Sequence, residues 1–450
     1  MKACSVARIF GLWHPWNLCS LLLRVLRKLL GLPPNLMKKF LERKHIHPAH
    51  LEIEVGKLPE LPQDVLLDIF ALLEIPDLKR ASSICSSWRS MHTSLCSLGL
   101  YKRPQTPCLF YTSESAGESV GFLYSLAEKR SYKLTLPEPP IRTRYLIGSS
   151  NGWLVTADER SEMHLLNSIT CEQIALPSVI TIEHVTPIFN EAGTLCMYHY
   201  SPDTVENCSD EPRSLALATL RNQLHMKAFV FYDAFAGGHI VALIHNPYGQ
   251  LSFARLGDNK WTWLPPHSGF QDCIYKDGLL YAVTWQGKIH AFDLRGPMIT
   301  TELIIDIVEY YWDMYIVQAP YGDLLQIWRT RKGSEDAGPP SYVTNTTDIK
   351  IYKVDTRAKK LVGINSLDDH VLLLGHNQTL CLSAQEYLQL KANCVYFTDD
   401  EETYLSGWKD NRRDIGIFDL ANSTCEELVS PQLWSNWPTP VWITPSLTRL

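Results

Sequence analysis

Several residue groups in this sequence have types and spacings that could do chemistry. Gly148-Ser149-Ser150-Asn151-Gly152 satisfies the Gly-x-Ser-x-Gly pattern that places a nucleophilic serine on a strand-to-helix elbow. The residues that follow, GWLVTA, continue as a strand, so a tight hairpin turn at Asn151-Gly152 explains the pattern better. Asp399-Asp400-Glu401-Glu402 gathers carboxylates that could hold a metal or move protons. Consecutive positions on a loop point apart, so a solvated loop tip is expected. His370, His376 and Cys381 are metal-ligating types without the tight, paired spacing of a zinc site. Gly237-Gly238 lacks the lysine and helix that make a phosphate loop. Asp293, Asp355 and Asp419 each end an apolar strand, where capping of the next turn is reason enough for them. They would become an acid/base or metal set only by converging on one channel. Trp261, Trp263, Trp285 and Tyr310-Tyr311-Trp312 could line a binding surface, although packing between sheets uses most such aromatics. No catalytic set, cofactor or metal is expected.

The elements that would position these residues divide the chain in three. With 450 residues it exceeds one small core, and 13 Trp, 20 Tyr and 27 Pro suit a folded protein rich in strands and turns. Residues 1–56 contribute a formal charge of +6 and the remainder −12, which disfavours a nucleic-acid partner for the large region. The twelve cysteines are scattered without a Cys-x-x-Cys pair, the pattern of reduced thiols in the cytoplasm or nucleus. In the leader, LCSLLLRVLRKLLGL (residues 18–32) is interrupted by Arg24, Arg27 and Lys28, well short of the roughly 20 apolar residues of a membrane helix. Integral insertion is therefore not expected. Leucines at 18, 21, 22, 26, 29 and 30 have helical spacing, which leaves a targeting peptide, a surface-binding helix and a poorly ordered extension all open.

Residues 57–100 read as three short helices. Pro62 suits a first helical turn and Asp64 the positive end of a helix dipole, while Leu66, Ile69, Leu72 and Leu73 form an apolar stripe. Pro76 should stop that helix and Asp77 cap the next, in which Leu78, Ala81, Ile84 and Cys85 share a face. A third helix should start near Ser87, capped by a serine and carrying Trp88, Met91 and Leu95. Three short helices enclose little of their own apolar surface. Periodicity fits a partner-binding module and a subdomain packed on the rest of the chain equally.

The ordered landmarks Leu61-Pro62, Asp64, Leu66, Ile69, Leu72, Asp77-Leu78, Cys85 and Trp88-Arg89 resemble the F-box. The resemblance implies docking on a Skp-family adaptor and through it on a cullin. It implies an adaptor-facing set of Leu61, Pro62, Leu66, Ile69, Leu72, Ile75, Pro76, Leu78, Cys85 and Trp88, with Trp88 anchoring the third helix.

PQTPC (residues 104–108) reads as a linker, and residues 105–450 read as all-β. Strand-length apolar runs such as YIVQAPYGDLLQIWRT and DIKIYKVD alternate with Asn-Gly, Gly-Gly and Asp-Gly turns. Repeated four-stranded units predict a propeller of six to eight blades at about 45 residues each, with a pair of β-sandwiches as the alternative. IGSSNGWLV, KDGLLYAVTWQGKIHAFDL and WSNWPTPVWITPSL resemble the β-propeller that accompanies F-boxes in land plants. The last of these, with Trp437, Pro440 and Trp442, is expected to close the final blade on the first. The fold class is thus α+β multidomain, a short three-helix module before an all-β propeller. The implied function is a non-enzymatic receptor that binds an unidentified target protein for a ubiquitin ligase. A propeller enzyme or small-ligand sensor and a non-proteolytic scaffold remain the alternatives.

Overall fold

The computed structural model describes residues 63, 67, 70, 71, 73–97, 101, 103–201, 212–296, 298–309, 313–334, 343–387, 389–400 and 411–450. The leader, Leu61, Pro62, Leu66, Ile69, Leu72, Tyr310-Tyr311-Trp312, Glu401 and Glu402 lie outside them. The chain divides between Gln105 and Thr106 into two compact units.

In the first unit, helix α1 spans Ile75–Ser82 and α2 spans Ser86–Ser97. The start of α1 differs from expectation. Glu74 is its N-cap, and Pro76 lies inside the first turn rather than ending the preceding helix. A proline there forfeits only an N–H that a helix start leaves unpaired in any case. Asp77 pairs instead with Arg80 at 3.2 Å. The Ile75 N–H donates to Gln105 Oε1 at 2.6 Å, and the Gln105 amide donates to Tyr101 Oη at 2.7 Å and to the Arg103 carbonyl at 3.0 Å. Tyr101 in turn donates to the Leu73 carbonyl at 2.5 Å. The boundary between the two units falls within the expected linker, where Gln105 caps α1 and Cys108 begins the first strand.

The second unit is a ring of sheets, which accounts for its alternating sequence. Four four-stranded meanders run along the chain. Blade two starts at Tyr145–Ser150, blade three at His225–Asp233, blade four at Phe270–Lys276 and blade five at Asp313–Gln318. Blade one is closed by the end of the chain: Val441–Ile443 pairs antiparallel with Cys108–Tyr111, placing Trp442 opposite Leu109. Blade six has five strands, with Leu380–Ser383 at its inner edge and a parallel pairing of His370–Leu374 with Cys394–Phe397. Among the described residues that makes six blades and one further three-stranded sheet, Val185–Phe189, Leu195–Tyr200 and Arg213–Ala216. This extra sheet packs Val185, Tyr198, Tyr200 and Leu215 against blades two and three, together with Leu220 and Leu224 of α3 (Leu217–Leu224).

Burial falls from the axis outward. Every residue of the inner strand Tyr145–Ser150 is buried, whereas every residue of the outer strand Thr424–Glu427 is exposed. Inner strands covered on both sides can be continuously apolar, and outer strands need alternate only weakly. Ser149-Ser150-Asn151-Gly152 forms a hairpin turn, with φ of 49° at Asn151 and 87° at Gly152. The serine-elbow pattern thus encodes a turn. Gly148 is required for another reason: a Cβ there would lie 2.1 Å from the Ala228 carbonyl oxygen of blade three and 3.0 Å from that of His376. Gly148→Ala is expected to cost at least about 1–3 kcal/mol by forcing the inner strands apart. Thermal unfolding measures this, and an unchanged midpoint would show that the strands can separate freely.

Candidate functional site

Of the ten adaptor-facing residues that the resemblance implies, Ile75, Pro76, Leu78, Cys85 and Trp88 are among the described residues. Ile75, Pro76, Leu78 and Trp88 are buried within the chain by itself. Trp88 meets Phe70 edge-on at 5.3 Å, and Leu78, Ala81, Met91 and Leu95 are likewise buried. Cys85 is half-buried, and its Sγ accepts the Trp88 N–H at 3.5 Å. The thiol therefore takes the helix-capping role expected of a serine, satisfying an N–H that has no partner within α2.

At the start of the inner strands, side chains from several blades meet in a buried polar cluster. Lys227 of blade three places Nζ 2.6 Å from Asp400 Oδ2 of blade six and 4.7 Å above the Tyr315 ring of blade five. Tyr315 donates to Asp400 Oδ1 at 3.0 Å. Arg329, fully buried in blade five, donates to the Thr398 carbonyl at 2.8 Å, to Thr346 Oγ1 at 2.8 Å and to Asp414 Oδ2 at 3.0 Å. Arg331, two residues along the same strand, bridges Asp399 at 2.9 Å and Asp313 at 2.5 Å. Asp272 of blade four accepts the Ile316 N–H at 3.0 Å and the Thr379 hydroxyl at 2.7 Å. The segment carrying Thr379 also reaches blade two, where the Gln378 N–H donates to the Ser149 carbonyl at 2.7 Å.

This overturns the expected solvated tip at Asp399-Asp400, since both residues are buried. Burial alone would raise the Asp400 carboxyl, but Lys227, Arg329 and Arg331 hold it well below the usual carboxylate range. Asp272 shows the opposite balance: burial pushes it up to about 6 despite Lys227 nearby. Each carboxylate has a cation, hydroxyl or N–H as its partner, so the arrangement clamps blades to one another. Among the described residues, no group of three or more His, Cys, Asp or Glu is disposed to hold a metal ion.

Similarity to known proteins agrees with this architecture. The profile of the KIB1-4 beta-propeller family matches residues 123–419. The chain belongs to that family. An F-box-like profile matches residues 58–98. The F-box protein SKIP23 of Arabidopsis thaliana is 26% identical over 85% of this chain and 95% of its own length. The F-box protein KIB4 of the same plant is 23% identical over 77% and 83%. One solved structure, an oligogalacturonate lyase in complex with manganese, aligns with 75% of this chain and 79% of its own. Its identity of 13% and TM-score of 0.31 carry no argument.

In this KIB1-4 propeller the strand-end aspartates do not converge. Asp293 accepts the Arg295 N–H at 3.0 Å and pairs with the Arg295 guanidinium at 2.6 Å. Asp355 accepts the Arg357 and Ala358 N–H groups, and Asp419 those of Ala421 and Asn422. They cap turns. His370 stacks edge-on with Tyr321 at 5.0 Å, whereas His376 is buried with Nδ1 3.4 Å from the Ile147 carbonyl. Of the sequence-selected aromatics, Trp261 is buried and Trp263 stacks on His267, while Trp285 is 43% exposed.

Burial pushes three imidazoles of the propeller far down: His225 to about 3, and His245 and His376 to about 4. An unfolded chain protonates histidine below about 6.5, so between about pH 6.5 and 4 the unfolded state binds more protons and stability falls with pH. Asp272, raised to about 6, holds a proton in the folded state and opposes this trend below pH 6, but as one group against three. Stability at pH 5 is expected to be lower than at pH 7.5 by roughly 1–2 kcal/mol per histidine. Urea midpoints at the two values check this, and equal midpoints would contradict it.

Proposed function

We propose that this chain is the substrate-recognition subunit of an SCF-type ubiquitin ligase. The helical module docks on a Skp-family adaptor and through it on a cullin, and the propeller binds a target protein. The observation that carries this reading is the joining of an F-box-like module at residues 58–98 to a KIB1-4 propeller in one chain. The subunit itself is non-catalytic: its buried carboxylates are tied up in a clamp between blades. The ten residues of the implied adaptor-facing set divide by role. Leu61, Pro62, Leu66, Ile69 and Leu72 supply adaptor contact, whereas Ile75, Pro76, Leu78 and Trp88 hold the helices in place and Cys85 caps α2. The complex works in the cytoplasm or nucleus.

Capture of recombinant Skp adaptor by the full chain tests the reading. Wild-type protein should retain the adaptor, and Leu61→Ala/Pro62→Ala should lose at least about tenfold in affinity, as expected when anchor residues are truncated. The propeller's unfolding transition should not move. Failure of the folded wild-type chain to bind adaptor would overturn the proposal. Ubiquitin transfer in a reconstituted ligase separates a receptor from a scaffold.

A further inference from the structure

On the receptor reading above, we infer that the target docks on the end of blades three to five formed by their first-to-second and third-to-fourth strand turns, and that it is held there by an uncharged, apolar peptide segment. In an antiparallel meander alternate turns lie at opposite ends of a blade. Tyr232, Phe235, Met298 and Tyr321 all belong to the same end, and they are 58%, 66%, 80% and 51% exposed. Large side chains this exposed are ordinary when scattered but point to an interaction surface when contiguous.

Contiguity is visible in the contacts beneath them. The Arg295 guanidinium of blade four lies 5.5 Å from the Phe235 ring of blade three. A Cβ at Gly278, in the adjoining turn of blade four, would come within 2.7 Å of the Arg295 side chain and 3.0 Å of the Phe235 ring. Met298 follows in the same turn as Arg295. From blade four Lys276 Nζ reaches the Gly322 carbonyl at 3.0 Å, next to Tyr321 of blade five.

The surface is also preorganised. Asp233, buried under the turn, accepts the Phe235 and Ala236 N–H groups at 3.0 and 3.3 Å and the Tyr275 hydroxyl of blade four at 2.9 Å. Tyr232 leans on His239 at 5.2 Å. A fixed aromatic anchor loses little side-chain freedom on binding, and Tyr, Phe, Met and Arg are the types enriched at interface centres.

Charge selects the occupant. Arg295 is engaged by Asp293 at 2.6 Å, Arg255 by Asp233 at 3.4 Å, and Lys276 lies 4.0 Å from Asp277. These three bases, which lie beside the exposed apolar side chains, each have an acid next to them, so neither an acidic nor a basic segment gains a complementary net charge there. A neutral apolar segment gains the most by covering those side chains.

Fluorescence anisotropy with the full chain tests this, using three short labelled peptides: one of Leu, Phe and Ser, one of Glu and Ser, and one of Lys and Ser. The neutral apolar peptide should bind best, with a Kd that changes less than twofold between low and high salt. Phe235→Ser/Met298→Ser should weaken it about tenfold. Tyr248→Ser/Trp285→Ser, at turns on the opposite end of blades three and four, should not. Preference for a charged peptide, strong salt dependence, no peptide binding at all, or loss only in the Tyr248/Trp285 variant would each overturn the assignment. Adaptor capture by the same samples is read separately. A chain that binds the apolar peptide but no adaptor would sink the receptor reading and leave this surface standing.

Discussion

Replacing Arg329 by leucine is expected to destabilise the propeller by about 3–5 kcal/mol, the loss that follows when one partner of a buried ionic group is removed. The guanidinium is wholly buried and serves three blade-six groups, the Thr398 carbonyl at 2.8 Å, Asp414 at 3.0 Å and Asp400 at 3.5 Å. Within blade five it also donates to Thr346 and Tyr315, and it lies 4.7 Å from the Phe397 ring. Leucine fills part of the volume but leaves two buried carboxylates short of a cation. Desolvated charge, rather than lost packing, therefore dominates the cost. Arg329→Lys should recover less than half of it, because one ammonium cannot span partners that a planar fork reaches together. Urea unfolding measures both variants. A loss below about 1 kcal/mol for the leucine variant would mean that the cluster behaves as a solvated surface network and does not clamp the blades.

That cluster marks where the sequence stops being readable. Turn chemistry is local, so Asn151-Gly152 and Asp277-Gly278 could be placed in hairpins without knowing the ring, and both have positive φ. Closure by Trp442 could be anticipated because a propeller needs its last strand beside its first. The pairing of Asp399 and Asp400 with Arg331 and Arg329 is different. It joins residues about 70 positions apart through the packing of blade five on blade six. One signal was available: Arg329 and Arg331 stand two apart in the strand LLQIWRTRKGS, so both lie on one face of a largely buried strand. A buried cation needs an acid from elsewhere, and FTDD at a strand end was the candidate.

The extra sheet and the five-stranded sixth blade were hidden for a related reason. Alternation identifies a strand, but the order of strands in a sheet depends on connections that leave no period in the sequence. In the helical module the landmark residues could be read, whereas their roles could not. An apolar residue at helical spacing is equally suited to an interior or a docking face, and packing decides between them. Ile75, Leu78 and Trp88 are buried in the free chain.

This distinction makes Trp88→Ala the substitution with the largest expected effect on recruitment. Trp88 is 6% exposed and packs edge-on against Phe70, and Ile75, Leu78, Ala81, Met91 and Leu95 of the same module are buried as well. Truncating a buried tryptophan costs about 3–5 kcal/mol. A small helical module has roughly that much stability in total. The variant is therefore expected to lose the helical fold of residues 75–97 and, with it, adaptor capture by more than about a hundredfold, since an unfolded module must pay its folding free energy on binding. The propeller has its own core, so its urea transition should stay where it is. Trp88→Phe keeps the aromatic contact with Phe70, and its cost should be small enough for capture to survive. Those two variants separate support from contact. If Trp88→Ala loses the adaptor while far-UV circular dichroism shows the helices intact, Trp88 touches the adaptor directly and its interior role is wrong. If helix and capture are lost together and Trp88→Phe restores both, the tryptophan acts by holding α2 so that other residues can meet the partner.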